Sequence, residues 1–350
     1  MFGNCKSLKE APELPATTLA NSCYYGLFSG CASLKKAPKL PATRLAESSY
    51  RLMFYNCTSL TEAPQLPATT LATYCYSNMF DGCTSLSKAP ELPATTLETY
   101  CYRYMFQGCT SLVEAPQLPA TTLTLNSYFA MFSGCTSLTK APELPATVLD
   151  AYCYCSMFSG CTSLTKAPDL PATTLVWYCY QQMFSGCTSL VEAPQLPATT
   201  LAAYCYGNMF YECTSLEEAP QLPATTLMSG CYSRMFGKCK SLINTPKLPA
   251  TTLVENSYFA MFGGCSSITS FDFGDQSIFA DISNSLSQMF SGCSNLSYIR
   301  CLFDDRDGNG PLSYSNWTLG VASQGTFVTN TDKWGRGPNG IPEGWEVVIE

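Results

Sequence analysis

Apolar positions in this chain return on a long, fixed period. A Phe, nearly always preceded by Met, stands at Phe2, Phe28, Phe54 and so on to Phe262 in steps of 26 residues, and Phe290 follows after 28. Each unit reads M-F-x-G-C-T-S-L-x-x-A-P-x-L-P-A-T-T-L-x-x-x-C/S-Y-x-x, repeated eleven times with the start of a twelfth. Two local rhythms alternate inside a unit. Leu138, Ala141 and Leu144 recur at every third residue while Pro142 and Pro145 forbid long ladder pairing, so this stretch predicts a short strand along a core edge. After "PATT" the apolar positions Leu149, Cys153 and Met157 step by four, which predicts a short helical segment with Thr147 as N-cap and Gly160 as its stop. Strand, turn, helical segment, turn is a unit that buries its apolar face only by stacking on copies of itself, so the expected fold is an α/β solenoid with short parallel strands. About 12 coils at roughly 4.8 Å each predict an array on the order of 55–60 Å long.

Past Ile268 the pattern loosens, and after Leu296 the composition changes, with three of the 4 Trp residues (Trp317, Trp334 and Trp345) in the remaining segment. The expected division is therefore a repeat array over 1–296 and a C-terminal cap over 297–350 that covers the raw apolar end. Short strands are predicted at Thr326–Thr329 and Trp345–Ile349. Within the cap, "DRDGNG" matches the first half of a calcium-binding loop through Asp305, Asp307 and Asn309. Its twelfth position is Asn316 rather than a bidentate Glu and no flanking helices are evident, so a polar turn is the favoured reading.

Composition narrows the chemistry. With 350 residues, 46% of them hydrophobic, a large core is available. A net charge of −7 leaves no basic surface for nucleic acid. The chain has 0 histidines, so the commonest general base and the commonest neutral metal ligand are both missing. No nucleophile–base pair, phosphate loop or carboxylate constellation stands out, and no cofactor is expected. No apolar run is long enough to span a bilayer. The first residues lack a basic and then apolar leader, and the chain opens at a unit boundary, as a fragment or a product addressed by a segment elsewhere would.

The 21 cysteines fall mostly in two columns. One is the "GC" column that includes Cys83, Cys109, Cys135, Cys161, Cys187 and Cys213; the other lies 18 residues later in the unit, as at Cys153. A disulfide between Cys153 and Cys161 is conceivable, but Ser49, Ser127 and Ser257 replace the second column while Cys57, Cys135 and Cys265 stay. Obligate partners would vanish together. One thiol per coil without C-x-x-C or His does not make a zinc site either. A packing ladder of small, weakly polar side chains is the expectation.

Three further columns stand out. Residues such as Glu62, Lys88, Glu114, Lys140 and Lys166 alternate in sign between many neighbouring units, which predicts an exposed stripe whose charges set register or meet a charged partner. A Tyr precedes each unit's next Phe by four residues, at Tyr102, Tyr154, Tyr180 and Tyr206 among others. These rings are expected to pack between coils with the hydroxyl reaching water, or to form an aromatic strip for a sugar or protein partner. True variability lies elsewhere, just before and just after that Tyr: in "ATY", "ETY" and "VWY", and at Arg51-Leu52, Arg103-Tyr104 and Gln181-Gln182. Trp177, Arg103 and Tyr104 are the candidate contact residues there.

The residues "MFSGCTSLTKAPELPATTL", their F-x-G-C-x-S-L core and the 26-residue period resemble the BspA-like leucine-rich repeats of bacterial surface proteins over roughly residues 1–296. The segment from "NWTLGVASQGTF" to "GIPEGWEVVIE" is similar to the closing segment of many such arrays in Bacteroides-type proteins. The resemblance implies a leucine-rich-repeat solenoid, a secreted or cell-surface location, binding or adhesion to a host or bacterial surface protein or glycan, and no catalytic residues. A phage or mobile-element receptor-binding component and a purely structural spacer are the competing classes; a partner array separates the spacer, which binds nothing.

Overall fold

The computed structural model describes residues 2–275, 279–280, 284–303 and 314–350. Asp305, Asp307 and Asn309 lie outside the described residues. The chain divides into two compact units, Met1–Ala172 with Met183–Leu190, and Thr173–Gln182 with Val191–Glu350. Both are built of the same 26-residue coil, and strands in both pair in parallel.

In the first unit, strand pairing is reduced to single bridges: Glu10 with Lys36 and Lys36 with Glu62, Lys88 with Glu114 and Glu114 with Lys140, Arg44 with Thr70, and Thr122 with Val148, each partner one repeat further on. The prolines that flank these residues lack the N–H a longer ladder needs. The second unit keeps such single bridges, Thr174 with Thr200 and Glu218 with Asn244, and adds longer strands. Its strands are β1 (Thr252–Leu253), β2 (Ser270–Asp272), β3 (Phe279–Ala280), β4 (Tyr298–Arg300), β5 (Thr326–Thr329) and β6 (Glu346–Ile349). β1 pairs with β3, while β2, β4, β5 and β6 form one parallel sheet in that order. β2 and β4 occupy the same register column as the single bridges, and there the sequences "SFD" and "YIR" carry no proline. The strands predicted near 326–329 and 345–349 are β5 and β6.

The predicted helical segment is not a helix. Among the described residues no α-helix forms, and the stretch from 151 to 160 is a continuous run of turns. The coil from Tyr74 to Cys83 shows why. Its odd-numbered amides close tight turns onto the carbonyl three residues back, Cys75 to Ala72 at 3.1 Å, Ser77 to Tyr74 at 3.1 Å and Met79 to Tyr76 at 3.1 Å. Its even-numbered amides reach the following coil instead: Tyr76 donates to Cys101 at 3.0 Å, Asn78 to Arg103 at 2.8 Å and Phe80 to Met105 at 2.9 Å. Left-handed backbone at every fourth residue, with φ of 57° at Tyr74, 55° at Asn78 and 75° at Gly82, turns alternate peptides outward. A helix would spend every amide internally, whereas this path divides them between the coil and its neighbour. Thr147 accordingly caps nothing: its amide donates to Thr121 of the preceding coil at 3.1 Å. Gly160, at φ 74°, is one of the left-handed corners rather than a helix stop.

The repeated apolar columns are the core. In the first unit the Phe rings from Phe2 to Phe184 stack coil on coil with centroids 5.5 to 5.7 Å apart. The second unit repeats this through Phe210, Phe236, Phe262 and Phe290. There the column meets Trp317, 6.0 Å from Phe290, whose indole N–H donates to Gly340 at 3.0 Å. Trp345 donates likewise to Ala322 at 2.7 Å. At the strand ends, Arg300 reaches Glu350 at 2.8 Å, Asp272 at 3.3 Å and Asp275, tying β2, β4 and the end of β6 together.

Candidate functional site

Where each sequence-predicted residue lies follows from the coil. The tyrosine column is interior: Tyr102, Tyr154, Tyr180 and Tyr206 are each 1% exposed. Within the first unit these rings stack on one another from Tyr24 to Tyr154 at 5.7 to 5.9 Å, and Tyr180, Tyr206, Tyr232 and Tyr258 do the same in the second. Rings this deeply buried offer a ligand no surface, so the column is packing rather than a contact strip. The expectation of a hydroxyl in water also fails for Tyr50, Tyr102, Tyr232 and Tyr258, whose buried hydroxyls have no hydrogen-bond partner. The sequence pattern places Tyr and Phe four apart on one flank, but with no helix each ring stacks on its own column instead.

The "GC" cysteines are also interior. Cys83, Cys109, Cys135, Cys161, Cys187 and Cys213 are 0% exposed and stand outside any disulfide. Each thiol of the first five donates to the carbonyl of the Phe that opens the preceding coil, as Cys83 to Phe54 at 3.0 Å and Cys135 to Phe106 at 3.1 Å. The same carbonyl accepts the backbone amide of its own coil's cysteine, Cys57 to Phe54 at 3.0 Å. The column thus cross-links neighbouring coils by hydrogen bonds. Cys153 and Cys161 do not pair. Burial pushes the thiols of Cys135 and Cys187 up to about 12, which removes the thiolate that nucleophilic or metal chemistry requires.

Trp177, by contrast, is 64% exposed. Beside it in sequence, Tyr178 stacks on Tyr204 at 5.2 Å, so the second unit carries a small aromatic surface. Arg103 and Tyr104 belong to a larger one in the first unit. The Arg103 guanidinium lies 4.7 Å from the Tyr104 ring, 5.1 Å from Phe129 and 5.6 Å from Tyr100. Tyr100 stacks on Tyr74 at 4.5 Å. Tyr74 in turn carries the Arg51 guanidinium at 4.8 Å, and Arg51 also lies 5.7 Å from the exposed ring of Tyr25. Phe129 continues the strip to Tyr152 at 6.5 Å. The strip Tyr25–Arg51–Tyr74–Tyr100–Arg103–Phe129–Tyr152 therefore runs across successive coils as two guanidinium groups set among aromatic rings.

The backbone places these side chains. Tyr74, Tyr100, Tyr104 and Tyr152 all sit at left-handed corners of the turn run, with φ of 56° to 61°. Such corners disfavour β-carbons, and here large rings occupy them, half-buried against the next coil. Neither guanidinium forms an ion pair or a hydrogen bond among the described residues, and the Nε of each is buried without an acceptor. Glu47, Glu98 and Asp150 are among the carboxylates exposed on these coils. Tyr74, Tyr100 and Phe129 were not singled out from the sequence. Their signal was there, since Tyr74 and Tyr100 close the variable "ATY" and "ETY" and Phe129 follows the repeated Tyr128.

A second surface lies on the strand side. Open depressions of about 640 Å³ and 670 Å³ sit between coils, lined by Glu62, Lys88 and Glu91 in one and by Lys140, Glu143 and Lys166 in the other. The charge stripe belongs here. The bridged neighbours Glu10–Lys36, Lys36–Glu62, Lys88–Glu114 and Glu114–Lys140 have opposite sign, whereas Lys140 and Lys166 share one, and Lys36 and Glu62 stand 4.0 Å apart and mostly in solvent, where a pair contributes little. Among the described residues no three His, Cys, Asp or Glu side chains converge as a metal site would require. Among the described residues no helix is long and apolar enough to cross a membrane.

Coils with parallel pairing, one Phe, one thiol and one Leu column each, and a variable outer face define a repeat protein of the leucine-rich type. The chain belongs to the BspA type leucine rich repeat family, which it matches in 6 copies over residues 1–113, 99–226 and 206–302. Among solved structures it is similar to a leucine rich cell surface protein from Faecalibacterium prausnitzii A2-165, at 17% identity and a TM-score of 0.46, over 87% of this chain and 75% of that one. No curated protein matches the chain.

Proposed function

We propose that this chain is a non-catalytic binding module of a bacterial surface protein, engaging a protein or glycan partner through the strip centred on Arg103. The observation that carries this is the setting of Arg103: three rings surround its guanidinium and no carboxylate meets it. A side chain held so firmly with its donors unspent is suited to an incoming acceptor. The surface location rests on the family. On the same reading the coils over 1–296 wind as a leucine-rich-repeat solenoid, and 297–350 close it, with Trp317 ending the Phe column.

The test is an array of glycans and matrix proteins probed with the chain and with two variants. Tyr100→Ala with Tyr104→Ala is expected to weaken any hit at least tenfold without lowering the melting temperature by more than a few degrees. Trp177→Ala is expected to leave it unchanged. A hit that ignores the first variant removes the strip from the function, and an array with no hit at all favours a spacer.

A further inference from the structure

The chemistry of the strip narrows its ligand, on the reading that the strip is the binding surface. Ring faces are already used: Tyr74 and Tyr100 lie face to face at 4.5 Å with planes 10° apart, and Arg51 covers the other side of Tyr74. Sugar or apolar groups therefore find no open ring face at the centre. What remains outward are edges. The Nε of Arg51 and of Arg103 is buried, neither guanidinium makes a hydrogen bond among the described residues, and both residues are half-buried, so the terminal guanidinium nitrogens are the ones that face solvent. Between them stand two phenol edges. The surface is rich in donors and poor in apolar area.

Spacing adds the second constraint. Arg51 and Arg103 occupy the same column two coils apart, which at the usual strand separation is about 10 Å. The two tyrosines fill the interval. A planar anion meets a guanidinium edge with two parallel hydrogen bonds. The strip therefore calls for carboxylates repeating at about the two-coil interval, with hydroxyl groups between them. In a linear polysaccharide each sugar ring advances the chain by roughly one coil spacing, so a carboxylate on every second ring meets the requirement. We infer that the strip binds a linear acidic polysaccharide bearing a carboxylate on alternate rings, laid along the coils with its carboxylates on Arg51 and Arg103 and its hydroxyls on Tyr74 and Tyr100. On a chain of net charge −7, these unpaired arginines are a local exception that an acidic ligand exploits.

The experiment is calorimetric titration with a hyaluronan decasaccharide, which carries glucuronate on alternate rings, against the same oligosaccharide with its carboxyls reduced to alcohols. The native oligosaccharide is expected to bind and the reduced one to bind at least tenfold more weakly. Arg51→Gln and Arg103→Gln should each weaken binding about tenfold and together about a hundredfold. Arg103→Lys, which keeps the charge and loses the fork, should fall between. The double variant Tyr74→Phe with Tyr100→Phe keeps the stack and removes the hydroxyls, and a severalfold loss is expected. Equal binding of the reduced oligosaccharide, or no binding of either, overturns the acidic-polysaccharide assignment. If polyglutamate instead binds with the same arginine dependence, the assignment falls while the strip stands as the binding surface. Hyaluronan binding that none of the strip variants changes overturns both.

Discussion

A single column shows how the choice between two small side chains is made. Cys75, Cys101, Cys153, Cys205 and Cys231 stand where Ser49, Ser127 and Ser257 stand in other coils, and all are buried. The three serine hydroxyls find no hydrogen-bond partner. An orphaned hydroxyl carries a desolvation cost that a thiol, a much weaker donor, largely avoids. The swap that reads in sequence as harmless is thus a local weakness in three coils. Ser127→Cys is expected to raise stability by about 1 kcal/mol, read as a higher urea midpoint with unchanged slope. A lower midpoint would mean that the column has a hydrogen-bonding demand that serine meets.

At the scale of the element, the turn run replaces the helix. Left-handed corners recur at fixed positions, and several are occupied by residues with β-carbons, among them Ala130 and Ala260, both at φ 49°. Their column partner Gly26 takes the same conformation at φ 57° without a steric penalty. Ala130→Gly should therefore stabilise, by about 0.5–1 kcal/mol after glycine's own entropy cost is set against relief of the left-handed strain. Chemical denaturation checks it, and a helical segment would give the opposite sign. At Gly134 the reverse change is costly because φ is 74°, while the neighbouring coil leaves room for a β-carbon at ordinary contact distance from Gly108. The four-residue spacing Leu149, Cys153, Met157 was read as helical because it matches a helix face, yet a corner every fourth residue produces the same inward period. What separates the two is where the amides go, and that is invisible in side-chain pattern.

For the whole molecule, the interior thiols form a pH-dependent load. Burial raises Cys75, Cys135, Cys153, Cys187, Cys231, Cys239 and Cys293 from the ordinary 9.0 to about 12. Above pH 9 the unfolded chain releases protons that the folded chain retains, so deprotonation favours unfolding. Stability is complete below that pH and falls as pH rises toward 12, by roughly 1.4 kcal/mol per pH unit for each thiol. Unfolding midpoints measured under reductant should be level from pH 7 to 9 and drop steeply by pH 10. A level profile to pH 11 would show that the two columns are not buried as free thiols.

Much of this was legible before any coordinate. The 26-residue period determines the coil, because a unit with one apolar edge is stable only beside copies of itself, and the Phe, Cys and Leu columns follow from that. The strands β5 and β6 were readable from their composition, and the proline positions explain why pairing elsewhere shrinks to single bridges. Tertiary structure decided the rest. Whether the Tyr column faced inward or outward depended on the direction of each turn, which left-handed corners set and sequence periodicity does not encode. The same corners brought Arg51, Tyr74, Tyr100, Arg103 and Phe129, separated by up to three repeats, onto one surface. A repeat fixes which residues share a column, but only the path of the backbone between columns decides which of them touch.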